Sequence, residues 1–203
     1  MSIDLSSEFQ TPAVDEAADA ARRVIDALVR SGGMTDADMS AIADRLNAVA
    51  DDLEATAPPV PDRLVDMWRG DGITRHDPVA GPENPLAPPL AYSAVDSRTI
   101  EAVTTLGLPY QGPPSCVHGG VSALLLDHTL GVANGWAGVS GMTAELTLRY
   151  HRTTPLFEPL TVTARQVSVD GRKIRTTGEI AANGETCVSA EGLFIAKHPP
   201  RPR

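Results

Sequence analysis

The first sixty residues show the hydrophobic pattern of two amphipathic helices. Apolar residues recur in steps of three and four from Val14 to Val29, and again from Met39 to Leu53. This spacing places them along one face of a helix in each segment. Two helices of this length are not stable by themselves in water, so we expect their apolar faces to pack against another part of the protein.

Residues that favour helix ends flank both segments. Gly32-Gly33 is expected to end the first helix, and Pro58 follows the second. Thr35 followed by Asp38 resembles a capping box with Asp in place of Glu, and it is expected to open the second helix. The sequence therefore predicts a helical hairpin with a Gly-Gly turn.

A segment rich in glycine and proline, residues 70–89, separates this hairpin from the rest of the chain. We call it the strap, and its composition predicts an irregular structure. Beyond about Leu90 apolar and polar residues alternate, which is typical of strands with one buried face. Asp170-Gly171 and Asn183-Gly184 are strong signals for tight hairpin turns. We therefore expect an antiparallel sheet of at least five strands, and the alternation is clearest at residues 99–106, 143–150, 161–169 and 175–180.

One segment interrupts the alternation. Residues 119–133 are apolar on nearly every side, from Val121 to Ala133, and such a helix is expected to be buried. An antiparallel sheet wrapped around one long buried helix is the hotdog arrangement. The predicted fold class is thus α+β, a hotdog fold preceded by an N-terminal helical hairpin. The predicted division is 1–84 for hairpin and strap, 85–197 for the hotdog domain and 198–203 for a tail.

Composition and charge argue against several classes of function. Residues 1–66 hold 14 acidic residues against five arginines, which accounts for the whole net charge of −9. Because nucleic-acid binding needs clustered Lys and Arg, we expect no nucleic-acid partner. No run of apolar residues is long enough for a membrane span and no secretory signal is visible, so a cytoplasmic location is expected. Cys116 and Cys187 are too few for a disulfide framework, and the scattered histidines predict no metal site.

Two features of the predicted buried helix point to chemistry. His118-Gly119-Gly120 stands at its start, where unpaired N–H groups favour developing negative charge and glycine admits a ligand carbonyl. A tight loop-to-helix turn is the structural alternative. Asp127 lies in the middle of the helix, where a carboxylate is costly unless it is paired or functional. The alternative there is a narrow polar stripe shared with His128 and Asn134.

The spacing of these two features predicts an active site between subunits. Gly119 and Asp127 are eight residues apart, which is about 12 Å along a helix axis. A general base and an oxyanion donor must both lie within roughly 3 Å of the reacting centre. One subunit cannot supply both, whereas two such helices packed antiparallel in a dimer can. We therefore expect a homodimer with two sites, or a tetramer built from such dimers.

The same residues resemble a known family. Gly112-Pro113-Pro114, leading through Ser115-Cys116-Val117 to His118-Gly119-Gly120 and then Asp127, is similar to the hotdog-fold acyl-CoA thioesterases. The likeness is strongest to the branch of the mitochondrial thioesterase also called carboxyl-terminal modulator protein, within the phenylacetate-associated thioesterase superfamily. It covers about residues 85–197 and continues through 141–146, Tyr150 and 171–173.

The resemblance implies roles for particular residues. Asp127 matches the catalytic carboxylate, acting as general base or as nucleophile, and the Gly119 N–H matches the group that polarises the thioester carbonyl. Thr143 stands where the superfamily has a Ser or Thr that supports the water or the carboxylate. With the helix start included, the expected catalytic residues are Asp127, Gly119, His118 and Thr143.

The resemblance also places residues near coenzyme A. The expected substrate-binding residues are Gly120, Arg149, His151, Arg172 and Lys173. Cationic side chains suit the phosphates of coenzyme A. The alternatives are that Arg172 and Lys173 are solvated turn charges and that His151 only hydrogen-bonds locally.

One position departs from the family pattern. Many relatives have an Asn seven residues before the glycine that matches Gly119, where it orients the carbonyl. Here Gly112 occupies that position and Gln111 is its neighbour. Either the Gly-Pro-Pro branch works without that amide or Gln111 replaces it.

The expected function is therefore hydrolysis of an acyl-CoA thioester to a free acid and coenzyme A, without a cofactor. Hydratases of the same fold need a His about five residues after the Asp, and Val132 stands there. A non-catalytic acyl-CoA-binding or protein-interaction module is the alternative from another functional class. The sequence pattern predicts neither the length nor the type of the acyl chain.

Overall fold

A computed structural model describes residues 3–4, 12–64, 75–88 and 90–197. The strap is therefore seen at residues 75–88, and its predicted portions 70–74 and 89 lie outside the described residues, as does the tail 198–203. The helices are α1 (Pro12–Ser31), α2 (Met39–Glu54), the single turn α3 (Val60–Arg63) and α4 (Gly119–Trp136). The strands are β1 (Ile3–Asp4), β2 (Ala91–Ala94), β3 (Thr99–Thr105), β4 (Met142–Tyr150), β5 (Pro159–Asp170), β6 (Lys173–Ala182) and β7 (Glu185–Ile195).

The helical hairpin forms as predicted, with one difference in its capping. Gly32 ends α1 with a positive φ of 47°, and its N–H donates to the Leu28 carbonyl. Asp38 is itself the N-cap of α2, because its Oδ1 accepts a 3.1 Å hydrogen bond from the Ala41 N–H. Thr35 is not the cap, since its hydroxyl accepts from the Ala37 N–H instead.

Only one helix of the hairpin packs on the rest of the chain. α1 buries Ala18 and lies against the 3-10 turn Leu108–Tyr110. α2 buries no residue, and Val49 and Leu53 on it are 57% and 65% exposed. The expectation that the apolar faces pack is thus confirmed only in part for α1, where Ala18 is buried but Val14 and Val29 are exposed, and it is wrong for α2 within this chain.

The described part of the strap is fastened to α1 by charged groups. The Arg22 guanidinium donates to the backbone carbonyls of Pro82 and Asn84 at 3.1 and 2.9 Å, with longer contacts to two more strap carbonyls. Arg75 forms ion pairs with both Asp15 and Glu83. As predicted, residues 75–88 contain no helix or strand. The hydrogen bonds and ion pairs of these side chains therefore hold the strap in place, as backbone hydrogen bonds hold the strands of the sheet.

Seven strands form one antiparallel sheet in the order β1-β2-β3-β5-β6-β7-β4, which extends the five or more that the alternation predicts. Both predicted turns are hairpins. Gly171 joins β5 to β6 with a φ of 54°, and Asn183 and Gly184 join β6 to β7 with φ values of 54° and 78°. β4 lies at one edge of the sheet, where its outer side pairs with no described strand.

The sheet wraps around α4 and forms the predicted hotdog fold. Leu125, Leu126 and Leu130 of α4 are fully buried against sheet residues such as Ile174 and Phe194. Each buried leucine contributes about 1.5–3 kcal/mol of apolar burial. No helix in the described ranges has the length and apolar character that crossing a membrane requires.

The burial of α4 is not complete on every side. Leu124 is 42% exposed, Gly120 is exposed and Asp127 is half-exposed. Because these positions recur in steps of four and three, they form one stripe along the helix. This stripe corrects the expectation that α4 is buried all round, and it places the carboxylate at the helix surface.

Candidate active site

The N-terminus of α4 carries a donor that nothing else uses. His118 is the N-cap, and its Nδ1 accepts a 3.0 Å hydrogen bond from the Gly120 N–H. The N–H groups of Val121 and Ser122 donate to the His118 carbonyl. Among the described residues, the Gly119 N–H is left without a protein acceptor, at the positive end of the helix dipole.

Close backbone contacts fix the His118 ring. A Cβ at Gly120 would lie 3.1 Å from Nδ1 of His118, and a Cβ at Gly112 would lie 2.6 Å from its Cα. Gly112 thus has no room for the Asn side chain that many relatives carry there. Gln111 is exposed beside it, and its predicted replacement of that amide stays a prediction.

Asp127 is paired with the residue that the sequence singles out. The Thr143 hydroxyl donates a 2.9 Å hydrogen bond to Oδ1 of Asp127. The predicted polar stripe does not include Asn134, which is fully buried and accepts a 2.6 Å bond from the Thr176 hydroxyl. The fold therefore brings two of the predicted catalytic residues together at a partly exposed position.

The edge strand β4 forms hydrogen bonds both to Asp127 and to the first residue of α4. Thr143 reaches Asp127 near the start of β4, and the Tyr150 hydroxyl at its end donates a 2.9 Å hydrogen bond to the Gly119 carbonyl. The sequence pattern predicts no role for Tyr150. Strict alternation puts residues seven apart on opposite faces, but Ala144 pairs with no residue of β7 and forms a bulge that returns Tyr150 to the helix side.

The predicted coenzyme A residues lie in two separate groups. Arg149 and His151 flank Tyr150 and face away from α4, and Nε2 of His151 is 2.8 Å from the Ser189 hydroxyl. Arg172 lies in the β5–β6 turn and Lys173 begins β6, and both are near the start of β4, because Lys173 and Met142 both pair with Ile195. Arg172 Nε donates to the Ala196 carbonyl at 2.7 Å. One chain does not bring the two groups together.

A partly buried histidine next to Asp127 is a further finding. His128 Nδ1 lies 3.5 Å from Oδ1 of Asp77 on the strap, its ring contacts Tyr92, and its Nε2 is buried without a partner among the described residues. Burial lowers the pKa of His128, although the charges of Asp77 and Asp127 oppose that change. Asp77 also accepts from the Val79 and Ala80 N–H groups. The strap has no periodicity, so nothing in the pattern linked it to α4.

The described ranges contain no disulfide and no metal-binding cluster. Cys187 is buried, Cys116 is half-buried and both are free thiols. The part of the chain that the structure describes holds no group of three or more His, Cys, Asp or Glu residues arranged to bind a metal ion.

Comparison with known proteins places this geometry in a family. Residues 115–189 match the family model of the thioesterase superfamily. Residues 5–62 match a model described as the N-terminal helical domain of hypothetical protein RHA1_ro05818. A crystal structure described as a thioesterase superfamily protein is 57% identical to this chain, covers 95% of each chain and has a TM-score of 0.87. The chain belongs to the thioesterase superfamily.

More distant relatives match about half of the chain. The acyl-coenzyme A thioesterase THEM4 of Mus musculus is 34% identical over 113 residues, which is 55% of this chain and 48% of the relative. THEM4 of Xenopus laevis is 32% identical over 90 residues, 43% of this chain and 40% of the relative. The chain thus spans about half the length of the curated relatives that it matches.

Lower-identity structures show the fold alone. A Streptococcus mutans protein bound to acetyl CoA is 13% identical, covers 55% of this chain and 91% of its own, and has a TM-score of 0.52. The two family matches lie within the predicted ranges 1–84 and 85–197, whose boundaries stay predictions.

Proposed function

We propose that this chain hydrolyses an acyl-CoA thioester to a free carboxylic acid and coenzyme A. The observation that carries the proposal is the Thr143–Asp127 hydrogen bond, which holds a partly exposed carboxylate on the same helix whose N-terminus presents the unused Gly119 N–H. The names of the THEM4 relatives support this substrate class. The fold of the acetyl-CoA-bound S. mutans protein is compatible with it.

The proposed reaction uses one water and one thioester. Asp127 accepts a proton from water as the water oxygen bonds to the acyl carbon, and the carbonyl oxygen becomes negatively charged. The Gly119 N–H and the positive end of the helix stabilise that oxyanion. The carbon–sulfur bond then breaks, and the proton held by Asp127 passes to the leaving thiolate. No cofactor is needed, because base, donor and water supply every step.

A dimer is proposed because one chain separates the base from the donor. Gly119 and Asp127 are eight residues apart on α4, about 12 Å along the axis. Gly120, Leu124 and Asp127 form an exposed stripe beside β4, whose outer side is an unpaired sheet edge. Exposed edges and apolar stripes favour association. Antiparallel packing of two α4 helices would bring Asp127 of each chain to the N-terminus of the other.

The same packing would assemble the coenzyme A groups. Arg172 and Lys173 lie at the Thr143 end of β4, and Arg149 and His151 lie at the Tyr150 end. In an antiparallel dimer, the Thr143 end of β4 in one chain would lie next to the Tyr150 end of β4 in the other chain. Four cationic or polar side chains would then surround the phosphates, although each chain keeps its two groups apart.

The test is thiol release from acyl-CoAs of several chain lengths. Asp127→Asn should lower kcat by roughly 10²–10⁴-fold without changing the mass of the dimer. Asp44→Asn is the matched control, because Asp44 is exposed on α2. Turnover by Asp127→Asn equal to that of the control would refute the assignment. Acyl-CoA binding by the wild type without thiol release at any chain length would favour the non-catalytic module.

A further inference from the structure

The hydrogen bond from Tyr150 to the Gly119 carbonyl has no part in the mechanism above. Its donor–acceptor distance is 2.9 Å, the same as that of the Thr143–Asp127 bond at the other end of β4. We propose that Tyr150 is a positioning residue, which orders a pair of oxyanion donors at the start of α4. This inference rests on the proposed function and names a residue that acts through Gly119 and His118.

The first step runs through one peptide group. The Gly119 carbonyl and the Gly120 N–H belong to the same planar peptide unit. A hydrogen bond accepted by the carbonyl polarises that unit and strengthens its N–H as a donor. The Gly120 N–H donates to Nδ1 of His118 at 3.0 Å. The Tyr150 hydroxyl is therefore linked through the peptide to the His118 ring.

The second step concerns the proton on that ring. Because Nδ1 accepts from a backbone N–H, a neutral His118 carries its proton on Nε2. His118 is exposed, and its ring lies against Gly120 on one side, where a Cβ would be 3.1 Å from Nδ1. On the other side a Cβ at Gly112 would lie 3.2 Å from its Cδ2. The two glycine contacts and the bond to Nδ1 restrict the ring, and in this proposal its Nε2–H is the second donor at the start of α4.

The third step is the contact between the Tyr150 ring and Gly119. A Cβ at Gly119 would lie 3.4 Å from the ring and from its hydroxyl oxygen, so the phenol covers the first residue of α4. Tyr150 is 55% exposed, and removing only its hydroxyl leaves the ring contact intact. Tyr150→Phe therefore removes the hydrogen bond without opening a cavity.

The experiment compares Tyr150→Phe with Tyr110→Phe in the full chain. Tyr110 also donates its hydroxyl to a backbone carbonyl, that of Leu86 at 3.4 Å, and its own carbonyl accepts from the His118 N–H, a bond that the Phe substitution leaves intact. One hydrogen bond is worth about 0.5–1.5 kcal/mol, so Tyr150→Phe should lower kcat roughly 3- to 10-fold. KM should stay within about twofold, because the bond acts on transition-state charge. Tyr110→Phe should leave both constants unchanged.

A second readout does not depend on catalysis. In ¹⁵N-labelled wild type, NMR of the ring nitrogens should show His118 protonated on Nε2 and not on Nδ1. In Tyr150→Phe the Gly120 amide should exchange with solvent roughly 2- to 10-fold faster, because the bond that polarises it is gone. Tyr110→Phe should keep the wild-type exchange rate.

The outcomes separate the two proposals. If the wild type hydrolyses acyl-CoA and Tyr150→Phe keeps the same kcat as Tyr110→Phe, the positioning role is wrong and the proposed function stands. If the wild type hydrolyses no acyl-CoA, the proposed function fails. The NMR experiment then still tests whether Tyr150 orders the two donors. Unchanged Gly120 exchange, or a His118 proton on Nδ1, then overturns the inference, whereas the expected signals uphold the ordering of the two donors.

Discussion

Thr143 donates its hydroxyl proton to Oδ1 of Asp127 at 2.9 Å, and no described residue donates to Oδ2 of the same carboxylate. One oxygen is therefore held while the other stays available to a water molecule. A β-branched residue on a strand has restricted side-chain rotation, which keeps the hydroxyl aimed at the helix. The bond joins the edge of the sheet to the exposed stripe of α4.

Replacing Thr143 with Val should reduce turnover. Val keeps the shape of the side chain but removes the donor, and a hydrogen bond to a charged group is worth about 1.5–3 kcal/mol. We expect kcat to fall roughly 10- to 100-fold while the melting temperature changes little, since Thr143 is exposed. Thr143→Ser should retain most of the activity. Equal rates for the Val and Ser variants would show that the hydroxyl is dispensable.

His128 should make the fold sensitive to mild acid. Its pKa in the folded chain is lowered from 6.5 by burial, so the unfolded chain binds a proton first as the pH falls. The contribution of the neutral ring to stability is complete above pH 6.5 and is lost as the pH falls from 6.5 to the lower pKa of the folded chain. Urea unfolding between pH 7.5 and 5 should therefore show a steeper loss for the wild type than for His128→Leu. Parallel curves would contradict this role.

The carboxylate of Glu83 affects the stability of the fold in a lower pH range than His128 does. Burial raises the pKa of Glu83, but hydrogen bonds from Arg75 and Arg63 outweigh it and lower the value below 4.5. Its stabilising contribution is lost only as the pH falls below 4.5, so it does not obscure the effect of His128.

Arg22 should be the residue that holds α1 to the strap. Its guanidinium donates to strap carbonyls, and Arg22→Met leaves those oxygens with fewer donors. We expect a loss of about 1–3 kcal/mol in unfolding free energy, measured by urea denaturation. Arg23→Met is the control, because Arg23 is exposed on the next position of the same helix. Equal stabilities for the two variants would show that the strap is held by other contacts.

Leu124→Arg should convert the proposed dimer to a monomer without turnover. The side chain is 42% exposed on the stripe that also carries Asp127, so a charge there would be trapped between the two α4 helices. Light scattering gives the mass, and thiol release gives the rate. Leu53→Arg on α2 should remain dimeric and active. An active dimer of Leu124→Arg would place the interface elsewhere, and a monomer only for Leu53→Arg would place it on the hairpin.

The sequence predicts those parts of the fold that depend on local patterning. The helical period of α1 and α2, the alternation of the long strands and the turns at Gly171 and Gly184 are all found in the structure, because each depends on residues that are close together in the sequence. The superfamily was also recognisable, since the motif from Gly112 to Asp127 is contiguous.

The contacts that the sequence did not predict join distant residues without a repeating pattern. The Asp77–His128 contact links the aperiodic strap to α4, and Arg22 reaches backbone carbonyls sixty residues away. The exposed stripe of α4 was missed because Gly120 and Leu124 on it are not polar, and hydrophobicity alone does not distinguish a core residue from an uncovered one. Tyr150 was missed because a bulge shifts the alternation.

Ala144 is the residue of that bulge that pairs with no residue of β7. The bulge determines which face of the sheet each later side chain of β4 lies on. If Ala144 paired with Leu193 in place of Glu145, the rest of β4 would slip by one residue along β7 and each later side chain would change sides. The phenol of Tyr150 would then turn outward to solvent, and the guanidinium of Arg149 would turn inward to the helix start. A chain without this alanine would need no bulge, because Thr143 and Tyr150 would be six residues apart and would both face the helix by ordinary alternation.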